Sequence, residues 1–180
     1  MQTIKDDVQR WLEEVVIGLN LCPFAAKPNR QKVIRIEVCN ATSHSDLSAV
    51  LLHELALLSN TPAAILETTL LVLPEMLQDF YEYNDYLDVA ERVLRKAGYE
   101  GELQIASFHP DYCFAGTEPD DAENLTNRSP YPILHLIREE SLEDVLARYP
   151  DPESIPENNI RRVEALSPEE KRRLFPYLFR

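Results

Sequence analysis

Glycine is scarce, with four in 180 residues. A loop that cradles phosphate needs glycine wherever the backbone must approach the anion closely. Neither a Walker motif nor a dinucleotide fingerprint is present, so no nucleotide cofactor is expected. Cysteine is equally sparse. Cys22, Cys39 and Cys113 make an odd count without a C-x-x-C pair, which excludes a disulfide scaffold, a zinc ribbon and a thioredoxin-type motif. Reduced thiols are expected. No apolar run approaches the ~20 residues that span a bilayer. Asp6, Asp7, Glu13 and Glu14 near the N-terminus do not suit a signal or transit peptide, so a cytoplasmic location is expected. Basic residues are outnumbered 18 to 31, for a formal charge of -13. That field repels nucleic acid and anionic lipid, so neither is expected as a partner. Between Glu75 and Glu91 lie six acidic residues and no basic one, the pattern of a solvated helix face.

What is present reads as alternating helices and strands. Ile4, Val8, Trp11, Leu12, Val15 and Leu19 recur at helical spacing from Thr3 to about Gly18. Gly18 and Pro23 end that helix. The β-branched run at 32–38 predicts a first strand. Ser43 and Asp46 open a second helix, and "SNTP" at 59–62 stops it. The apolar run at 68–74 suits a strand covered on both faces. A third helix is predicted over 75–97, with Gly98 as its stop. Strands follow at 102–108 and 132–138, separated by an irregular stretch at 109–131. A loop of this length without structure of its own exceeds the usual ~12–15 residues and is expected to be functional. In the tail, Ser141 is expected to cap one helix and Ser167-Pro-Glu-Glu to open another with a capping box.

The fold class implied is α/β, with a mixed, mainly parallel sheet of about four strands, helices on both faces and a helical C-terminal tail at 141–180. The chain is read as a single domain, 1–180. The first three strands are expected to run in one direction, and the fourth could return antiparallel.

In open α/β sheets, ligands gather beyond the carboxyl ends of parallel strands. From that edge would leave Cys39 to His44, Pro74 with Glu75, and Ser107 to Gly116. An antiparallel fourth strand would bring Asn127, Arg128, Ser129 and Tyr131 there. The loop "HPDYCFAGTEPDDAENLTNRSPYP" supports three chemistries. The first makes Cys113 a nucleophile or pocket wall, His109 its base and Asp111 or Asp121 the orienting carboxylate. The second is a metal site at His109, Asp111 and Cys113, with His135 as a further ligand. It is the less favoured, because the ligand string is short. The third is an anion cradle of Asn124, Asn127, Arg128 and Arg138. Against these stand a buried Cys113, a hydrogen-bonded His109, and an Arg128 that ties down its own acidic loop. His135 alternates with Ile133 and Ile137, which favours a satisfied core histidine over a ligand. His53 beside Glu54 is read as solvated.

"GLNLCPFA" at 18–25, "SFHPDYCFAG" at 107–116, "NLTNRSPYPILHLIRE" at 124–139 and "PENNI" at 156–160 resemble an uncharacterised bacterial family, domain of unknown function 1415. The resemblance spans essentially the whole chain and assigns no catalytic residue. The residues themselves lead to an expected enzyme, hydrolytic or group-transferring, acting on a small polar or anionic metabolite. His109, Asp111 and Cys113 would be catalytic. Ser107, Asn124, Asn127, Arg128, Tyr131 and Arg138 would bind substrate. A metal-binding protein and a non-catalytic interaction module are the alternatives.

Overall fold

The structure is a computed structural model that describes residues 2–179. Helix α1 (Gln2–Trp11) runs directly into a π-helical turn, Leu12–Ile17, and α2 (Ala26–Gln31) follows. Strand β1 (Ile34–Val38), α3 (His44–Asn60), β2 (Thr68–Val72), α4 (Phe80–Lys96), β3 (Leu103–Phe108) and β4 (Ile133–Arg138) build the body. Helices α5 (Glu139–Leu146), α6 (Ile155–Glu164) and α7 (Pro168–Leu174) form the tail. No helix among the described residues is long and apolar enough to cross a membrane.

Local chemistry sets the helix boundaries. The Ser43 hydroxyl accepts the Asp46 amide at 3.1 Å and starts α3. Asp79 accepts the amides of Tyr81 and Glu82, so α4 begins at Phe80 rather than at 75. It ends beside Gly98, whose φ of 84° lies in the left-handed region. Ser167 and Glu170 complete the expected capping box. Ser141 caps nothing, because α5 starts at Glu139 straight off the end of β4. At the π-helical turn, Gly18 and Leu21 donate to the carbonyls of Glu13 and Val16, five residues back. A Cβ at Gly18 would collide with the Glu14 carbonyl oxygen, so glycine is needed there.

The sheet order is β1-β2-β4-β3. β1 and β2 are parallel, while β4 is antiparallel to both β2 and β3. The first three strands therefore share one direction, as expected, and the fourth returns antiparallel. The sheet is nevertheless mixed and not mainly parallel. β4 inserts between β2 and β3, which leaves one parallel pairing.

Each face of the sheet has its own core. Leu71, Leu134, Leu136 and Leu103 meet α3 and α4. On α3, Leu47, Leu51, Leu55 and Leu58 recur at helical spacing and are all completely buried. Each such side chain stabilises by about 1.5–3 kcal/mol. The opposite face carries Leu70, Val72 and Ile133, packed against Val8, Trp11 and Val15 and against Phe175 from the tail. Thus helices cover both faces, but not equally. Ile34, Ala106 and Ile137 on this second face remain only half-buried.

One ion pair ties α3 to β1. Glu54 is 2% exposed and receives Nε of Arg35 at 2.8 Å and Nη2 at 3.2 Å. Removing the arginine leaves a buried carboxylate without its partner, which destabilises more than loss of the pair as a whole. The Arg35 side chain is 36% exposed, so water softens the effect. Arg35→Met should cost about 1–2 kcal/mol in urea unfolding. The double variant Arg35→Met/Glu54→Leu should regain most of that loss. Equal stability of the two variants would show that the carboxylate is not stranded.

Candidate functional site

The 109–131 stretch is ordered by bonds to itself, with a short 3-10 helix at Ala122–Thr126. His109 follows directly on β3 and is 0% exposed. Its Nε2 lies 3.0 Å from the Leu77 carbonyl oxygen. A carbonyl only accepts, so Nε2 carries the ring proton. Nδ1 accepts the Asp111 backbone amide at 2.9 Å. The rings of Phe80 and Tyr83 lie 5.3 and 5.1 Å from the imidazole. Burial lowers its pKa, against weaker opposing pulls from the Leu77 carbonyl and Asp111. His109, expected as a catalytic base, is therefore closed off from solvent. The imidazole is buried, neutral and bonded at both nitrogens, which leaves no lone pair for a substrate.

The other expected residues are drawn into the same internal bonding. Asp111 is exposed and contributes its backbone amide. The Cys113 sulfur lies 3.4 Å from the Thr117 hydroxyl. Asn124 is 0% exposed, accepts the Phe114 amide at 2.9 Å and donates to the Glu118 carbonyl at 2.7 Å. Asn127 donates to the Ser107 carbonyl, and the Ser107 hydroxyl lies 3.4 Å from that of Tyr112. Arg128 does tie the loop down, but through the carbonyls of Tyr112 and Pro119 rather than through acidic side chains. The Tyr131 hydroxyl reaches Asp7. Arg138 stands at the far end of β4 and caps the carbonyls of Leu58, Thr61 and Leu66. Asn124, Asn127, Arg128 and Arg138 consequently do not form one anion cradle. Among the described residues, no three of His, Cys, Asp and Glu are arranged to hold a metal ion, His109, Asp111 and Cys113 included. The three cysteines are unpaired.

The open space lies on the thinly covered face of the sheet. A cavity of about 450 Å³ has a floor of Ile34, Thr68, Leu70, Ala106, Phe108, His135 and Ile137. Trp11 and Leu12 with Val16 of the π-helical turn make one wall. Cys22, Phe24 and Ala25 make a second, and Leu142 with Val145 of α5 a third. This volume falls in the ~300–1,000 Å³ range of small-molecule sites, which are largely apolar with few polar groups. Charged side chains stand in opposite signs, Lys27 and Arg148 against Glu67 and Asp144, and Arg148 pairs with Asp144 at 3.6 Å. The Cys22 thiol is pushed up by burial, despite amide bonds from Phe24 and Ala25, so it stays protonated.

Polarity on the floor is concentrated in two side chains. The Thr68 hydroxyl donates to the Leu136 carbonyl. It is also 2.8 Å from Nε2 of His135. Having spent its proton on the carbonyl, the hydroxyl must accept from Nε2–H. That fixes the tautomer and makes Nδ1 a bare acceptor. Burial pushes the His135 pKa down to about 4, so the ring is neutral.

Sequence reasoning missed this site. It placed His135 on the strand face with Ile133 and Ile137, but took that face for closed core. No local pattern marked it, because its lining comes from segments as far apart as Trp11 and Arg148.

Fold and cavity together define an α/β protein with a mixed four-stranded sheet and an apolar chamber on one face. The chain belongs to the family described as Protein of unknown function (DUF1415), which matches residues 3–173. No curated protein and no solved structure matches the chain.

Proposed function

We propose that this protein binds a small, predominantly apolar molecule in the chamber between the sheet and the Trp11–Gln31 segment. The carrying observation is the chamber itself, a half-open cavity of about 450 Å³ bounded by sheet, π-helical turn and α5. Two further features support it. The π-helical turn supplies Leu12 and Val16 to the wall, and such turns recur at functional sites. The lining also holds three aromatic side chains, Trp11, Phe24 and Phe108. The raised Cys22 thiol is a poor nucleophile, so the chemistry favours binding over covalent catalysis. A hydrolytic or group-transfer reaction at the 107–131 loop has less support, because His109 is buried with both nitrogens bonded.

The test uses prodan, a neutral dye without an N–H or O–H donor. It should bind with one-to-one stoichiometry and fluoresce more strongly. Ala106 pairs with His135 across β3 and β4, so a large side chain at 106 would stand beside the imidazole. Ala106→Trp should weaken dye binding at least about tenfold, or 1.4 kcal/mol, with the thermal midpoint little changed. Undiminished binding by the variant would refute the location. A self-association that Ala106→Trp abolishes would mean that a second copy fills the chamber, and would refute the small-molecule reading.

A further inference from the structure

The floor of the chamber also constrains what its occupant must offer, an inference that rests on the chamber being a small-molecule site. We propose that the ligand is a neutral aromatic molecule with a hydroxyl, of the phenol class, which donates its proton to Nδ1 of His135, and that carboxylates are rejected.

His135 sits on β4, one of the two inner strands, and pairs with Leu70 on one side and Ala106 on the other. Backbone polar groups in such a strand are engaged in the two ladders and are not free for a ligand. The Thr68 hydroxyl has given its proton to Leu136 and accepts from Nε2 of His135. The Trp11 indole N–H is also committed, to the Arg128 carbonyl at 3.0 Å. No hydrogen bond among the described residues reaches Nδ1. His135 is only partly buried and lines the chamber, while the rest of its surroundings on the floor are mainly apolar. Nδ1 is thus an acceptor that an apolar ligand would leave dry and unpaired, and that cost selects for a donor.

The remaining features narrow the class. Trp11 and Phe108 meet edge to face, with ring centroids 5.2 Å apart, and both line the chamber. Flat aromatic ligands suit such walls. A carboxylate would set oxygen lone pairs against the Nδ1 lone pair in a low-dielectric space. The charged groups along the lining do not offset this, since Lys27 and Arg148 are matched by Glu67 and Asp144. A site that hydrogen-bonds a ligand hydroxyl discriminates strongly against the analogue that lacks it.

Three shape-matched probes test the assignment by calorimetry: para-phenylphenol, its methyl ether, and para-biphenylcarboxylate. The phenol should bind about tenfold more tightly than the ether, and the carboxylate more weakly than either. His135→Phe should reduce the phenol to the affinity of the ether. On the unaltered protein, the nitrogen NMR resonance of His135 Nδ1 should move upfield with the phenol and stay in place with the ether. This second measurement does not depend on the variant folding. Equal affinity for phenol and ether, or a still Nδ1 resonance with phenol bound, overturns the phenol assignment and leaves the chamber reading intact. Tightest binding by the carboxylate overturns it in favour of an anion held by Lys27 and Arg148. If none of the three binds and prodan also fails, the chamber reading falls with it.

Discussion

His109→Ala should lower the free energy of unfolding by about 3–5 kcal/mol, with the affinity for prodan unchanged. The two parts of this result separate a structural imidazole from a catalytic one. The ring is 0% exposed and wedged among aromatic side chains, so truncation leaves a cavity comparable to that of a lost aromatic residue. It also strands the Leu77 carbonyl and the Asp111 amide, which now pair with the ring at 3.0 and 2.9 Å. Leu77 holds a φ of 57°, a left-handed backbone that a leucine rarely adopts. Its carbonyl is held by the His109 ring, so this strained turn should loosen with the variant. Urea unfolding gives the stability and dye titration gives the affinity. A loss under about 1 kcal/mol would contradict the structural role. A large loss of ligand affinity in a still-folded variant would return the site to the 107–131 loop.

The legible parts of the fold were those set by local chemistry. Alternation and β-branching, or for β2 a continuous apolar run, marked the four strands to within two residues. The Ser43 hydroxyl and the Ser167 capping box marked two helix starts, because a cap is written within four residues of sequence. Strand direction was legible too. Lateral order was not, since β4 could return antiparallel at an edge or between β2 and β3 without any change in its own pattern. Helix α2 escaped notice because AKPNRQ has no apolar periodicity and contains a proline. The π-helical turn was hidden because Val15 and Leu19 fit α-helical spacing equally well. The hydrogen bonds five residues back and the close approach of Gly18 to the Glu14 carbonyl distinguish it, and neither shows in the spacing of apolar residues.

The loop offers a more specific lesson. The cluster of imidazole, carboxylate and thiol at 109–113 was a real signal of constraint, but the constraint is internal. Asn124, Arg128 and His109 replace a missing ladder for a segment with little regular structure of its own. Polar side chains concentrated in a long ordered loop satisfy its backbone before they serve anything else. The chamber has the opposite character. It arises from what fails to cover Ile34, Ala106 and Ile137, a non-local absence that no window of sequence records.

Between about pH 6.5 and pH 4, stability should fall by roughly 2–3 kcal/mol through His135 alone. Burial depresses the folded pKa from 6.5 to about 4. The unfolded chain therefore takes up a proton in this window that the folded chain refuses. The stabilising contribution is complete above the unfolded value, declines as pH drops, and is exhausted below the folded one. Burial lowers the His109 pKa as well, so that residue acts in the same sense. Carboxylates also titrate here, and a bare stability curve would mix their effects with those of the histidines. The difference between wild type and His135→Phe removes them, because both proteins carry the same acids. Urea midpoints collected from neutral pH to pH 4 should show the wild type losing more stability than the variant, with the gap opening below about pH 6.5. Curves that stay parallel throughout would mean that His135 meets enough water in the chamber to titrate normally. Nδ1 would then be hydrated in the empty chamber, and the cost of leaving it unpaired would arise only when a ligand displaces that water.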